Sequence, residues 1–285
     1  HTMLKPDAAS ADIMKLCAEA KKWHFASVCV NSCHTALAAE QLRGSEVKVC
    51  TVVGFPLGAS ATSVKVFEAQ DASNNGSAEI DMVINISWLK ERFYEKTAAD
   101  ITAVVSAVPH CLVKVIIETC LLTKDEIVTA CKIARSAGAH FVKTSTGFSK
   151  GGASAEDVKL MRSAVGSDMG VKASGGIRDY ETAIAMVRAG ADRLGTSQSI
   201  LICEAAKDFY VNKLGLSVIR ENYRPERKDW KLDLRVNEHT ELEIFAEENP
   251  PKRVNRPEAC GLRHLAFCVE SVEQTVNELA EVGIE

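Results

Sequence analysis

The feature that most constrains this chain is a repeated alternation through its first 200 residues. Seven short apolar runs, Ala26–Val30, Val47–Val53, Glu79–Ile84, Leu112–Ile117, His140–Lys143, Gly170–Ala173 and Arg193–Gly195, are separated by stretches with helical periodicity. The runs are mostly continuous and rich in β-branched residues, the pattern of strands buried on both faces. Helix signals sit between them. Thr123-Lys124-Asp125-Glu126 reads as a capping box, followed by Ile127, Ala130, Cys131 and Ala134 at helical spacing and by Gly138 as a stop. Ser154 to Asp157 repeats the device, and Ser10 is placed to cap a helix carrying Ile13, Leu16, Cys17 and Ala20 on one face. His1–Leu4 supplies a further short strand ahead of the seven. Eight strands alternating with helices predict an α/β fold, a (β/α)₈ TIM barrel, near the lower size limit for that architecture.

The composition changes near residue 200. Residues 1–200 hold 22 basic and 21 acidic side chains, and residues 201–285 hold 12 and 17. Glycine falls from 14 in the first part to 3 in the second, so two pieces of different architecture are expected, 1–200 and 201–285. The net charge of −4 offers no electrostatic footprint for nucleic acid or an anionic membrane. No apolar run approaches the roughly 18 residues of a membrane helix, and no signal peptide is read, so the expected location is cytoplasmic. Ten cysteines without a Cys-x-x-Cys pair read as buried thiols in a reducing compartment. Among them, Cys29 falls at the end of the second strand, where a buried, inert thiol is expected. The chain begins at His1 without Met and ends just after a helical pattern, and truncation at both ends is expected.

Four successive strands each carry an ionisable residue: Asp81, Lys114, Lys143 and Lys172. Isolated buried charges cost several kcal/mol, so such residues are paired or functional. On neighbouring parallel strands they can converge in the barrel mouth, where this fold places its chemistry. One carboxylate facing three ammoniums leaves surplus positive charge, which favours a lysine with a lowered pKa, and a neutral lysine amine forms Schiff bases with carbonyls. The residues alone do not say which lysine is the nucleophile. The bland alternative is a buried Asp–Lys brace with the remaining lysines reaching solvent.

A second signal follows. Ser174-Gly175-Gly176-Ile177-Arg178 comes after the seventh strand, Gly195-Thr196-Ser197 after the eighth, and Thr144-Ser145-Thr146-Gly147 after the sixth. Glycine-rich loops let backbone N–H groups approach an anion, and the loops after strands seven and eight often hold phosphate in this fold.

With these residues in view, positions 1–200 closely resemble the deoxyribose-phosphate aldolase family. The resemblance rests on His1 to Asp7, Val52 to Gly58, Glu79 to Val83, Val113 to Thr119, Phe141 to Gly147 and Val171 to Arg178. It implies a class I aldolase, an aldehyde-lyase that reversibly cleaves 2-deoxy-D-ribose 5-phosphate to acetaldehyde and D-glyceraldehyde 3-phosphate in deoxyribonucleotide catabolism. By motif match Lys143 is the Schiff-base lysine, Lys172 the second lysine that lowers its pKa and assists proton transfer, and Asp81 the carboxylate that relays protons. Gly147, Gly175, Gly176, Gly195 and Ser197 are implied as the phosphate site. No metal or cofactor is implied, because the iminium is the electron sink. The expected partner is the small phosphorylated sugar, with a homodimer allowed.

Residues 203–285 resemble a truncated glyoxalase-type (vicinal oxygen chelate) domain, on Ala206 to Tyr210, Leu214 to Leu216, Leu242 to Phe245 and Gly261 to Phe267. The resemblance implies a partial α+β fragment of a βαβββ pair, lacking its opening strand. Glu243 and His264 match two of that family's metal ligands; two ligands rarely hold a divalent ion, so no working metal site is expected. Ser199–Leu214 reads as one helix that takes the place of the barrel's last helix. Three other readings stand beside the leading one: another lysine-dependent barrel aldolase, a glyoxalase-like metal-binding module on an inactive barrel, and an accidental join of two truncated reading frames.

Overall fold

The computed structural model describes residues 1–208 and, beyond them, the backbone of three strands at 217–224, 229–237 and 240–247. Eight strands run β1 (Thr2–Met3), β2 (Ser27–Val30), β3 (Lys48–Val53), β4 (Glu79–Val83), β5 (Leu112–Ile116), β6 (Phe141–Lys143), β7 (Gly170–Ser174) and β8 (Arg193–Gly195). Each pairs in parallel with the next, in sequence order, as a (β/α)₈ barrel requires. The helices are α1 (Ser10–Lys22), α2 (Thr35–Gln41), α3 (Thr62–Asn74), α4 (Ile86–Lys90), α5 (Tyr94–Ala107), α6 (Lys124–Ser136), α7 (Ala155–Val165), α8 (Tyr180–Arg188) and α9 (Ser199–Asp208).

The apolar runs owe their continuity to two different surroundings. Their outward side chains, among them Ile80, Met82, Val113, Val115, Val142, Val171 and Ala173, pack with Ile127, Ala130, Ala134, Val158 and Met161 from the helices. A smaller cluster joins α1, β2 and α2 through Ile13, Leu16, Val28, Val30 and Ala38. The alternate positions carry Cys29, Cys50, Asp81, Lys114, Lys143 and Lys172, which meet one another inside the barrel.

The helix ends follow local chemistry. The Thr123 hydroxyl accepts from Glu126 N at 3.3 Å while Glu126 Oε2 accepts from Thr123 N at 2.8 Å, completing the box at α6. Ser154 caps α7 by accepting from Asp157 N at 3.1 Å. Helix α1 differs from the sequence reading: Ala9 is its N-cap and Ser10 its first residue. Asp12 Oδ2 accepts from Ala9 N at 2.8 Å, so a first-turn carboxylate ties the N-cap amide, and no N-cap side chain takes up the first-turn N–H groups as Ser10 was expected to. Outside the barrel interior, fully buried Lys65 on α3 donates to Asp100 Oδ2 on α5 at 2.6 Å and to the Val83 carbonyl at 3.0 Å, fastening both helices to the end of β4.

The chain divides into two compact units, His1–Cys203 and Glu204–Glu285. Helix α9 begins at the expected Ser199 and is described to Asp208; residues 209–214 of the expected helix lie outside the described residues. Its first turn places Ile202 against the barrel's main core. In the second unit β9 (Ser217–Arg224), β10 (Asp229–Asn237) and β11 (Thr240–Glu247) form an antiparallel sheet in the order β11-β10-β9.

Candidate active site

Strand register explains how the charged residues meet. Asp81 on β4 is level with Lys114 on β5 and, across it, with Phe141 on β6. Lys143 is level with Ile116 on β5 and Lys172 on β7, two residues nearer the C-terminal ends. Asp81 therefore lies one layer beneath two lysines and beside the third. Its Oδ2 accepts from Lys143 Nζ and from Lys172 Nζ, both at 2.7 Å, and its Oδ1 accepts from Lys114 Nζ at 2.8 Å and from the Cys50 thiol at 3.1 Å. Lys114 also donates to Glu79 Oε2 at 2.7 Å, and Arg193 on β8 reaches Glu79 Oε1 at 3.3 Å. Glu79 lies two residues before Asp81 on the same strand face, a period-2 relation that the sequence carries but that its reading left unused.

Burial alone would neutralise these groups; mutual attraction overrides it. Burial raises the Asp81 pKa, but Lys114, Lys143 and Lys172 together hold it well below the usual carboxylate range. Burial likewise opposes the ammonium form of Lys143, yet Asp81 outweighs it and pushes the Lys143 pKa above the ordinary lysine value. Lys114 is pushed up through the same balance. Three cations against one anion predict a lowered lysine pKa; in the folded barrel each ammonium instead touches a carboxylate oxygen, and contact at hydrogen-bond distance wins over surplus charge further off.

Of the three cluster lysines, Lys143 lines a cavity of about 520 Å³ at the C-terminal ends of the strands. Gly147, Gly175, Gly176, Gly195 and Ser197 line the same cavity, so the predicted nucleophile and the predicted phosphate residues face one space. Close approach demands glycine at two of these positions. A Cβ at Gly195 would lie 2.8 Å from Ser174 Oγ and 3.0 Å from Lys172 Cε, closing the passage of the lysine chain. Gly175 adopts φ +83°, and a Cβ there would meet the Gly152 Cα at 3.2 Å. The sequence reading missed Lys5 and Lys15 from the first strand–helix unit, which line the cavity with Arg178; Asp12 and Glu19 line it too, and Glu19 pairs with Lys15 at 3.8 Å.

Cys29 is in register with Cys50 and buried. Hydrogen bonding with Cys50 draws its thiol down to about 7, while burial pushes Cys50 well up. The two sulfurs and an Asp81 oxygen lie within 4.8 Å of one another. Three ammoniums already crowd that carboxylate, so this donor set is poorly suited to a divalent cation. Of the two glyoxalase-type ligands, Glu243 lies on β11 opposite Asp233, and His264 lies outside the described residues.

Residues 1–223 match the family profile of DeoC/LacD family aldolases. The chain belongs to that family. Aldolases of the DeoC/LacD family include curated relatives of high identity. The deoxyribose-phosphate aldolase of Clostridium perfringens (strain ATCC 13124) is 60% identical over 205 residues, covering 72% of this chain and 92% of the relative. That of Streptococcus sanguinis (strain SK36) is 57% identical over 212 residues, covering 73% and 96%. Among solved structures, the tetrameric deoxyribose phosphate aldolase of Aeropyrum pernix superposes with a TM-score of 0.68 at 34% identity, over 73% of this chain and 88% of its own. An aldolase called QR15 gives a TM-score of 0.71 at 42% identity, over 74% and 95%. Residues 203–285 match the Glyoxalase/Bleomycin resistance protein/Dioxygenase superfamily, so a DeoC/LacD aldolase barrel is followed here by a glyoxalase-type region. Among the described residues, no helix is long and apolar enough to cross a membrane.

Proposed function

We infer that residues 1–200 form a class I aldolase that reversibly cleaves 2-deoxy-D-ribose 5-phosphate to acetaldehyde and D-glyceraldehyde 3-phosphate. The observation that carries this reading is the cavity. It presents Lys143, whose Nζ shares a carboxylate with Lys172, to the same space as the glycine loops suited to phosphate. The curated relatives named for this activity support it.

In the cleavage direction the Lys143 amine adds to the substrate's C1 aldehyde, and loss of water leaves a protonated imine. The proton that Lys143 gives up leaves through the cavity to solvent, while Asp81 stays ionised and its Oδ2 holds both Lys143 and Lys172. The imine draws electrons from the C2–C3 bond, which breaks to leave an enamine on Lys143. The C3 hydroxyl proton leaves towards Asp81 through water, and C3 departs as the aldehyde of glyceraldehyde 3-phosphate. The enamine carbon takes up a proton relayed from Lys172, and water hydrolyses the imine to release acetaldehyde. One water is lost and one regained, so the reaction balances without an external redox partner. Gly147, Gly175, Gly176, Gly195 and Ser197 hold the phosphate and fix C1 over Lys143. The expected setting is the cytoplasm.

The test is to incubate the full chain with acetaldehyde, reduce with borohydride and map the adduct by mass spectrometry. A stable ethyl adduct on Lys143, absent from Lys143→Leu, is expected. Folded protein that acquires no adduct, or acquires it only on Lys114 or Lys172, overturns the assignment.

A further inference from the structure

The loop after β5 carries a group that the mechanism above does not use. Glu118 follows the strand end Ile116-Ile117 and is 2% exposed. Its backbone is left-handed, φ 56° and ψ 65°, a conformation disfavoured for a residue with a side chain. Two backbone hydrogen bonds pin it there, Ile117 N to the Lys143 carbonyl at 3.0 Å and Thr119 N to the Thr144 carbonyl at 2.9 Å. They flank Glu118 and extend the β5–β6 ladder past the Schiff-base position.

The carboxylate so placed turns towards β6, with no cationic partner within ion-pair distance among the described residues. It accepts from Thr146 Oγ1 at 2.5 Å and from Thr146 N at 3.2 and 3.3 Å. Thr146 Oγ1 in turn accepts from Phe148 N at 3.1 Å. The intervening Gly147, at φ +85°, is thereby held from both sides. The same loop rests on the next one: Ala153 N donates to the Gly175 carbonyl at 2.9 Å. The Cys120 thiol in its own loop adds only a long contact to Glu118 Oε1 at 4.0 Å. A strained backbone maintained by surrounding structure, with its side chain tied mainly to one neighbouring loop, is the pattern of a residue that shapes a site.

We propose that Glu118 is a positioning residue for the substrate's phosphate. It holds the Thr146–Phe148 turn so that Gly147 and Gly175 face the cavity at the spacing a phosphoryl group requires. This rests on the aldolase reading and adds to it a determinant of preference for phosphorylated over unphosphorylated sugars. Glu118 touches no substrate atom; it acts through Thr146.

The test compares Glu118→Ala, Glu118→Gln and Thr146→Val with the parent chain on 2-deoxyribose 5-phosphate and on unphosphorylated 2-deoxyribose. Losing a buried charge-assisted tie weakens phosphate-dependent affinity by about tenfold to a hundredfold. Glu118→Ala is therefore expected to raise KM for the phosphorylated sugar by that factor, with kcat within about threefold, and to shrink the preference over 2-deoxyribose equally. Glu118→Gln retains an acceptor for Thr146 N and is expected to stay near the parent. Thr146→Val removes the hydroxyl and is expected to move KM in the same direction, which keeps the test valid if Glu118→Ala fails to fold. Calorimetric titration with glycerol 3-phosphate reads the phosphate loops without turnover. If the parent binds this probe but never traps acetaldehyde on Lys143, the aldolase reading fails while the role of Glu118 is still measured by binding. Unchanged probe affinity in folded Glu118→Ala or Thr146→Val overturns the proposal, as does an equal loss of kcat on both sugars.

Discussion

Replacing Asp81 by Asn separates two consequences of its position. The Asp81 carboxylate lies 2.7 Å from Lys143 Nζ, and at an effective dielectric constant near 20 a unit charge pair at that distance interacts by about 6 kcal/mol. Part of that attraction is lost to relaxation and water entry, but with the carboxylate gone burial acts on the ammonium unopposed by it, so the Lys143 pKa should fall in Asp81→Asn. The amine becomes available at lower pH although the proton relay is gone. Acetaldehyde trapping at Lys143, followed against pH by intact mass, should reach its midpoint at lower pH than in the parent. Turnover of the full substrate should fall by about 10² to 10⁴. Stability responds with its own signs. The depressed Asp81 pKa contributes stability above the unfolded carboxylate value of about 3.9, lost as pH falls through the folded value. The raised pKa values of Lys143 and Lys114 contribute stability below about 10.4, lost as pH rises through their folded values. Asp81→Asn forfeits both and should lose about 3–5 kcal/mol at neutral pH, with circular dichroism confirming that the barrel persists. A trapping midpoint that stays where it is in the parent would refute the claim that Asp81 sets the state of Lys143.

Two further perturbations probe other parts of the barrel. Gly175→Ala forces a side chain into φ +83° with its Cβ 3.2 Å from the Gly152 Cα, so KM for the phosphorylated sugar should rise by about tenfold while acetaldehyde trapping persists; an unchanged KM would count against the loop after β7 as a phosphate contact. Lys65→Met strands the fully buried Asp100 carboxylate and should cost about 3–5 kcal/mol in denaturant unfolding, part of which Lys65→Met combined with Asp100→Asn restores. Equal stability of the single and double variants would remove the pair from the barrel's support.

Much of the barrel was legible because its signals are local. Strands β2 to β8 fall within the seven apolar runs, β7 alone running one residue further to Ser174, and Thr123 with Glu126 announced α6 through four residues of sequence. The convergence of Asp81, Lys143 and Lys172 was legible too, since one ionisable residue in each of several buried strands has few inexpensive explanations. What escaped depends on height along the barrel axis and on distant partners. Lys114 looked equivalent to the other lysines; only the register shows it one layer below Lys143, occupied by Glu79 and Asp81. The direction of the Lys143 pKa was misjudged for the same reason, because contact distances are invisible to a count of charges. Glu118 carries no periodic signature, and its partner Thr146 lies on the next strand's loop. Lys5 and Lys15 reach the cavity from the opposite end of the barrel sequence, which no spacing rule connects to the glycine loops.

The contact between the loops after β6 and β7 bears on how such a barrel can be altered. A Cβ at Gly152 would sit 2.2 Å from the Gly175 carbonyl oxygen, so the two loops leave no room for a single methyl group between them. An engineer grafting a longer phosphate loop, or lineage drift towards a bulkier substrate, cannot revise either segment alone. The first change obstructs its neighbour before any benefit is gained, and viable variants should carry compensating substitutions in both. Selectivity at this mouth is inherited as a matched pair, which makes libraries that randomise residues 147–153 together with 174–178 the productive ones, and single-loop libraries largely barren.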